Sequence, residues 1–213
     1  MRKILFISFL VLGSMKLFAQ NTSSKDYSKW QMRLRFISVT PNESANIEAI
    51  GGDVSISSSY VPELDFTYFI TENWAAELIL GTTNHDVEAK NTSVGNIDLG
   101  DVWLLPPTLT FQYHFTGGKA KPYLGAGVNY TIFYGADNGP VANDVSYDNS
   151  LGLAFQGGID YALNNKWFLN FDIKHIRLQT DATVNATDAL RATVNADVDI
   201  NPFIIGIGLG LKF

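Results

Sequence analysis

Residues 108–115, Thr108-Leu109-Thr110-Phe111-Gln112-Tyr113-His114-Phe115, put Leu, Phe, Tyr and Phe on one side and Thr, Thr, Gln and His on the other. Strict alternation is the period of a β-strand with one greasy and one polar face, and no helical face collects residues this way. Thr116-Gly117-Gly118-Lys119 then reverses the chain tightly. The next run sets Leu124, Ala126, Val128, Tyr130 and Ile132 against Tyr123, Gly125, Gly127, Asn129 and Thr131.

The same alternation appears on both sides of this hairpin. Upstream, Trp30, Met32, Leu34 and Phe36 oppose Gln31, Arg33 and Arg35; Leu64, Phe66 and Tyr68 oppose Glu63, Asp65 and Thr67; Trp74, Ala76, Leu78 and Leu80 oppose Ala75, Glu77 and Ile79. Downstream, Leu151, Leu153, Phe155, Ile159 and Tyr161 oppose Gly152, Gln156, Gly158 and Asp160, and Trp167, Leu169, Phe171 and Ile173 oppose Asn170, Asp172 and Lys174. The last run alternates Phe203, Ile205, Ile207, Leu209, Leu211 and Phe213 with Ile204, Gly206, Gly208, Gly210 and Lys212.

Eight strands result, and their connections alternate in length. Turns at 71–73, 116–119 and 164–166 are short, whereas the polar stretches 41–58, 84–100, 135–149 and 180–199 are long. This asymmetry predicts an all-β fold: an eight-stranded antiparallel transmembrane β-barrel with short periplasmic turns and four longer extracellular loops. An open strand edge in hydrocarbon would strand backbone donors and acceptors, so the first and last strands are expected to pair. A soluble barrel would turn its apolar face inward. Here the polar face carries glycines and charges of both signs, while Trp30, Trp74, Trp167, Tyr113 and Tyr161 suit aromatic girdles at the two lipid interfaces.

The start of the chain predicts export to that membrane. Met1-Arg2-Lys3, an apolar run from Ile4 to Met15 and Ala19 before Gln20 read as a cleavable signal peptide over 1–19, leaving a single barrel domain over 20–213. A run this short does not span a bilayer as a helix, which needs about 20 residues. Removing Arg2, Lys3 and Lys16 from the chain's 15 basic residues leaves 12 against 21 acids, a net charge of −9, which disfavours nucleic acid as a partner. No cysteine is present, so nothing is stapled covalently.

Pro106-Pro107 with the strand that follows, then Lys121-Pro122-Tyr123-Leu124-Gly125-Ala126-Gly127-Val128-Asn129-Tyr130-Thr131, Trp167 to Thr180 and the Asn201-Pro202 opening of the last strand, resemble the outer membrane protein W (OmpW) family. The likeness runs from about Trp30 to Phe213. It implies an eight-stranded barrel with a narrow channel that admits small hydrophobic molecules and releases them sideways into the membrane.

Arg33, Arg35, Glu63, Asp65, Glu77, Gln112, Asp160, Asp172 and Lys174 are the expected lumen-lining side chains. In so small a barrel they read either as a hydrogen-bonded plug or as the lining of a conducting or ligand-holding lumen. The inward glycines argue for spare volume. Trp103-Leu104-Leu105-Pro106-Pro107 is an apolar patch whose prolines withhold amide donors, a candidate lateral exit or a bulge beside an external loop. Leu209, Leu211 and Phe213 form the expected C-terminal assembly signal for the barrel assembly machinery. His85, His114 and His175 show no metal-like spacing, so neither metal, cofactor nor catalysis is expected. Ala-Thr-Val-Asn-Ala recurs at 182–186 and 192–196, which predicts an outward hairpin, either a partner-binding surface or a solvated loop. Besides membrane lipids, two functional readings stand: a narrow passive channel or binding protein for small, apolar molecules, and a closed structural or surface-interaction barrel working through its extracellular loops.

Overall fold

The computed structural model describes residues 28–48, 50–187 and 192–213; the expected signal peptide lies outside the described residues. Fifteen strands are present among them: β1 (Trp30–Thr40), β2 (Ser44–Ile47), β3 (Asp53–Ile56), β4 (Ser59–Phe69), β5 (Trp74–Leu80), β6 (Thr83–Thr92), β7 (Gly95–Leu105), β8 (Thr108–His114), β9 (Ala120–Asn138), β10 (Asp144–Tyr147), β11 (Ser150–Ala162), β12 (Trp167–Arg177), β13 (Gln179–Ala186), β14 (Ala192–Asp199) and β15 (Phe203–Lys212). Eight of them, in the order β1-β4-β5-β8-β9-β11-β12-β15, close on themselves as an antiparallel barrel. β1 meets β15 over the register Gln31↔Lys212 to Thr40↔Phe203. Trp30 and Phe213 lock the end of that closure by exchanging backbone hydrogen bonds of 3.2 and 3.0 Å.

Side chains build the short turns. Thr71 Oγ1 accepts from the amides of Asn73 and Trp74 (3.3 and 3.0 Å), and Asn164 Oδ1 accepts from those of Lys166 and Trp167 (2.9 and 2.8 Å). Such self-contained caps let the chain reverse without an external partner. Each delivers a tryptophan to the start of the next strand. All five expected girdle aromatics therefore lie at the short-turn end, with Trp30 on Tyr68 and Trp74 on Tyr113, ring centroids 4.8 and 4.9 Å apart. The expectation that these five serve both interfaces is corrected: the other end has its own set, including Tyr60, Trp103 and Tyr134.

At the far end, most of the four polar stretches read as loops are strand. β1 leads into β2, β3 into β4, β5 into β6, β7 into β8, β10 into β11, β12 into β13 and β14 into β15 across links of one to three residues, and the outermost described turns lie at 50–52, 93–94 and 139–143. The extension splits into two flaps, β10-β13-β14-β2 and β9-β7-β6-β3. Side chains bridge the seams between them: Asp53 Oδ1 accepts from the Ala45 amide (2.8 Å), and Asn138 Oδ1 accepts from the Val145 amide (3.0 Å).

The chemistry of the wall inverts along each strand without any change of parity. Within the membrane-spanning part, Leu34 and Phe36 face outward and Arg33 and Arg35 inward; two residues on, the inward positions become Ile37 and Val39. In β6 the inward residues are Thr83, His85, Val87 and Ala89, and the outward ones Asn84, Asp86, Glu88 and Lys90. Lipid outside and a packed polar centre give way to water outside and an apolar interior. The expected hairpin is formed by β13 and β14 and is strand, not loop: β10 and β2 flank it, Ala182, Val194 and Val198 are buried on its inner face, and Asp181, Thr183, Thr193, Asn195 and Asp197 are exposed on its outer face.

Candidate functional site

A charged plug fills the short-turn half of the lumen. Arg33, fully buried, reaches Asp65, Glu77 and Asp160, each at 3.0 Å, and donates to Thr67 Oγ1 at 2.6 Å. Arg35 meets Glu63 at 3.0 Å, Asp65 at 2.5 Å, Glu77 at 3.2 Å and Asp172 at 3.4 Å. Lys174 Nζ donates to Glu63 Oε1 at 2.7 Å and stands 3.3 Å from Asp172. Neutral groups add further hydrogen bonds: Gln112 donates to Glu77 (2.7 Å), and Gln156 and the Tyr123 hydroxyl donate to Asp172 (2.8 and 2.6 Å). All nine expected lumen residues thus come together in one network, with each carboxylate within reach of a guanidinium or ammonium, as burial of charge demands.

The inward glycines seat this plug and do not leave spare volume. A Cβ on Gly210 would fall 2.0 Å from the buried Phe168 ring, one on Gly158 2.4 Å from the Tyr123 hydroxyl, and one on Gly208 2.2 Å from the Leu34 carbonyl. Large inward side chains from neighbouring strands occupy the space these glycines vacate. Below the plug a vestibule of about 750 Å³ opens at the short-turn end, with Lys121, Lys212 and Asp160 in its walls.

Above the plug lies a cavity of about 110 Å³ with walls of Ile37, Val39, Val54, Val87, Leu104 and Val198 among others. On a scale where one water needs roughly 10–15 Å³, this is room for several waters or one slim apolar molecule. Glu63 and Lys174 stand at its floor, where the cavity meets the plug. Tyr147 and His85 also line it, in the extension beyond the membrane; burial pushes the Tyr147 hydroxyl up to about 12 and the His85 ring below its usual value, so both are neutral at pH 7. Among the described residues no group of three or more His, Cys, Asp or Glu is arranged to hold a metal ion.

The wall beside this cavity is broken. Pairing of β5 with β8 stops at Ile79↔Thr108, and β6 with β7 resumes at Thr83↔Leu104. On the other side, β4 leaves β5 at Leu64↔Leu80, and the next ladder pair is Ile56↔Val87 between β3 and β6. Gly81 and Thr82 therefore cross a window flanked by Pro62 and by Pro106-Pro107, residues with no amide proton to give a ladder. Thr82 Oγ1 closes its rim by bonding the Leu104 carbonyl (3.0 Å) and the Tyr134 hydroxyl (2.6 Å). Of the five expected exit residues, Leu104 faces the cavity, Trp103 and Leu105 face outward, and Pro106 borders both.

Sequence reasoning missed Pro62 and Gly81, although a proline inside an otherwise regular strand was the signal. It also missed the cavity wall. That signal was the inward parity continuing through the polar stretches, as Val87 and Ala89 or Val194 and Val198. Of the histidines, His114 bonds Gln112 within the plug at 2.9 Å, while His175 faces outward and stacks on Phe203 with ring centroids 4.4 Å apart.

Residues 27–213 match the description OmpW family. An uncharacterized outer-membrane protein, y4mB of Sinorhizobium fredii, is 43% identical over 188 residues, covering 87% of this chain and 80% of its own. Outer membrane protein W of Vibrio cholerae is 34% identical over 192 residues, covering 85% of this chain and 87% of its own. Among solved structures, the crystal structure of the outer membrane protein OprG from Pseudomonas aeruginosa superposes with a TM-score of 0.81 at 32% identity, covering 87% of this chain and 96% of that one.

Proposed function

This chain belongs to the OmpW family and is an outer-membrane β-barrel, and from that premise we propose that it passes small apolar molecules from the cell exterior into the membrane by a sideways route. A solute settles in the cavity above the plug and leaves through the window at Gly81-Thr82. The observation that carries this reading is the coincidence of the two features: the apolar cavity ends at a charged floor and borders, at the same level, a stretch of wall without ladder hydrogen bonds. An apolar molecule gains nothing by entering the plug, where it would displace paired charges. Sideways, it meets only the Thr82 bonds and then lipid. A relative, PahQ of Pseudomonas aeruginosa, bears the name dibenzothiophene metabolism operon protein.

The test restores amide donors to the window with Pro106→Thr and Pro107→Val and follows entrance of an apolar aromatic probe into liposome membranes containing the barrel. Uptake should exceed that of empty liposomes and fall several-fold in the double variant. Equal uptake by barrel-containing and empty liposomes, or by both variants, defeats the reading.

A further inference from the structure

We propose that the vestibule beneath the plug is a binding site for a small phosphate-bearing anion, held by the ammoniums of Lys119, Lys121, Lys166 and Lys212. The site lies at the short-turn end, apart from the apolar cavity, and does not depend on the sideways route.

Strand parity aims these lysines. Lys119 and Lys121 continue the inward row of Tyr123, Lys166 that of Phe168 and Asn170, and Lys212 that of Gly208 and Gly210, so all four fall on the lumen side of the wall and line the vestibule. Backbone bonds fix the frame that carries them. The Lys119 carbonyl accepts from the Ala162 amide and the Lys166 carbonyl from the Lys212 amide, both at 2.8 Å, and Asn164 Oδ1 caps the turn at Lys166 (2.9 Å). The four therefore stand on one arc of the mouth, β9-β11-β12-β15, while Glu72 sits in the turn between β4 and β5 on the opposite side.

The sign of the ligand follows from what is left unpaired. Among the described residues the lysine ion pairs within 4.0 Å are those of Lys90 and Lys174, and none of the vestibule lysines takes part in one. Three anionic residues line the vestibule with them: Glu72, Asp160 and Phe213 with its terminal carboxylate. Four ammoniums outnumber these even when Asp160 is ionised, and Arg33 grips both Asp160 oxygens, at 3.4 and 3.0 Å, which widens the positive surplus. Lys121 and Lys212 are half-buried and close enough to repel each other, an arrangement that an anion between them relieves. The lining holds no guanidinium. Ammonium point charges suit an anion whose charge is spread over several tetrahedral oxygens, whereas a planar carboxylate is matched by the fork of arginine. Free phosphate, a phosphate ester and a phospholipid headgroup share this chemistry.

The experiment titrates pyrophosphate, succinate and putrescine onto the full barrel in nanodiscs of zwitterionic phosphatidylcholine at pH 7 and constant ionic strength. Amide NMR of Lys121, Ala162 and Lys212 reports the vestibule, with Val87 and Val198 of the upper cavity as internal controls. Pyrophosphate should saturate the vestibule signals at concentrations about tenfold lower than succinate, and putrescine should leave them unmoved. Combining Lys121→Gln with Lys212→Gln should weaken the pyrophosphate response about tenfold, and Lys90→Gln on the outer surface should not. Nanodiscs containing phosphatidylglycerol separate the sources of the ligand. A lipid headgroup in the site shifts the vestibule signals before any titrant is added and blocks pyrophosphate, whereas a site for soluble phosphate titrates alike in both membranes. Succinate binding as tightly as pyrophosphate overturns the proposal, as does putrescine moving the same signals, or pyrophosphate and phosphatidylglycerol both leaving them unmoved. An undiminished response in the folded double variant also overturns it, and the parent series decides alone if that variant fails to fold.

Discussion

Arg33→Met is the sharpest test of the plug. The guanidinium is fully buried and lies 3.0 Å from each of Asp65, Glu77 and Asp160, so the substitution takes one cation from all three, leaving Asp160 without its ion-pair partner and Asp65 and Glu77 with Arg35 alone. At an effective dielectric of about 20, charges roughly 4 Å apart attract by about 4 kcal/mol. The contacts do not add in full, since the variant recovers several kcal/mol of guanidinium desolvation and a stranded carboxylate can take up a proton. The expected net loss is therefore about 3–5 kcal/mol, as for other buried pairs stripped of one partner. Urea unfolding of the barrel in lipid bilayers, followed by tryptophan fluorescence and by heat-modifiable electrophoretic mobility, measures it. Adding Asp160→Asn should restore about 1–2 kcal/mol by removing one orphaned charge. Lys90→Gln serves as control: Lys90 and Glu88 are 3.6 Å apart and each 41% exposed, a surface pair whose loss should cost less than about 1 kcal/mol. A cost below about 1 kcal/mol for Arg33→Met, or no coupling with Asp160, would refute the idea that charge pairing holds the plug.

Gly210→Ala should destabilise the barrel by about 1–3 kcal/mol, because the new methyl lands on the Phe168 ring, and Phe168→Leu in the same chain should relieve most of it in the same unfolding assay. Deleting Phe213 removes both backbone bonds to Trp30 at the closing seam; the yield of heat-modifiable barrel in cells should fall several-fold, and an unchanged yield would deny Leu209, Leu211 and Phe213 their role as the assembly signal. Burial holds His85 below its usual pKa near 6.5, so its neutral ring stabilises the outer extension in full above about pH 6.5 and that contribution is lost as the pH falls below it. Imidazole NMR should show the His85 midpoint below 6.5, and half-protonation at or above 6.5 would contradict the buried geometry.

The barrel was legible in the sequence because lipid enforces a strict rule. Every second residue from Trp30 to Phe36 or from Leu109 to Phe115 must be apolar where hydrocarbon touches the wall, and the opposite positions then identify the plug. The outer extension was not legible, because water outside and a cavity inside reward the opposite pattern. Asp86, Glu88 and Lys90 on the outward face of β6 read as loop, while Val87 and Ala89 between them carried the strand. The glycines misled for a related reason. A sequence shows that Gly158, Gly208 and Gly210 lack side chains, but not that Tyr123, Arg35 and Phe168 reach across from neighbouring strands to fill the space. The window was half visible, since Pro106-Pro107 stood out while Pro62 and Gly81 gained meaning only once the ladders on both sides of β5 were seen to stop.

Those two boundaries of the cavity differ in what it takes to cross them, and the difference gives the proposed route its direction. Passing the floor means separating Lys174 from Glu63 and then Arg33 and Arg35 from their carboxylates, interactions whose rupture costs about 3–5 kcal/mol for each stranded partner. Passing the window means releasing the two hydrogen bonds of Thr82, each worth about 0.5–1.5 kcal/mol, with no ladder bond broken across Gly81. An apolar solute offers no compensation for lost ion pairs, so the plug acts on it as a wall and the window as the weaker barrier. Tyr134→Phe separates the two: removing one of the rim bonds should speed sideways release of an apolar probe while leaving unfolding stability within about 1 kcal/mol of the parent, and slower release would place the exit elsewhere.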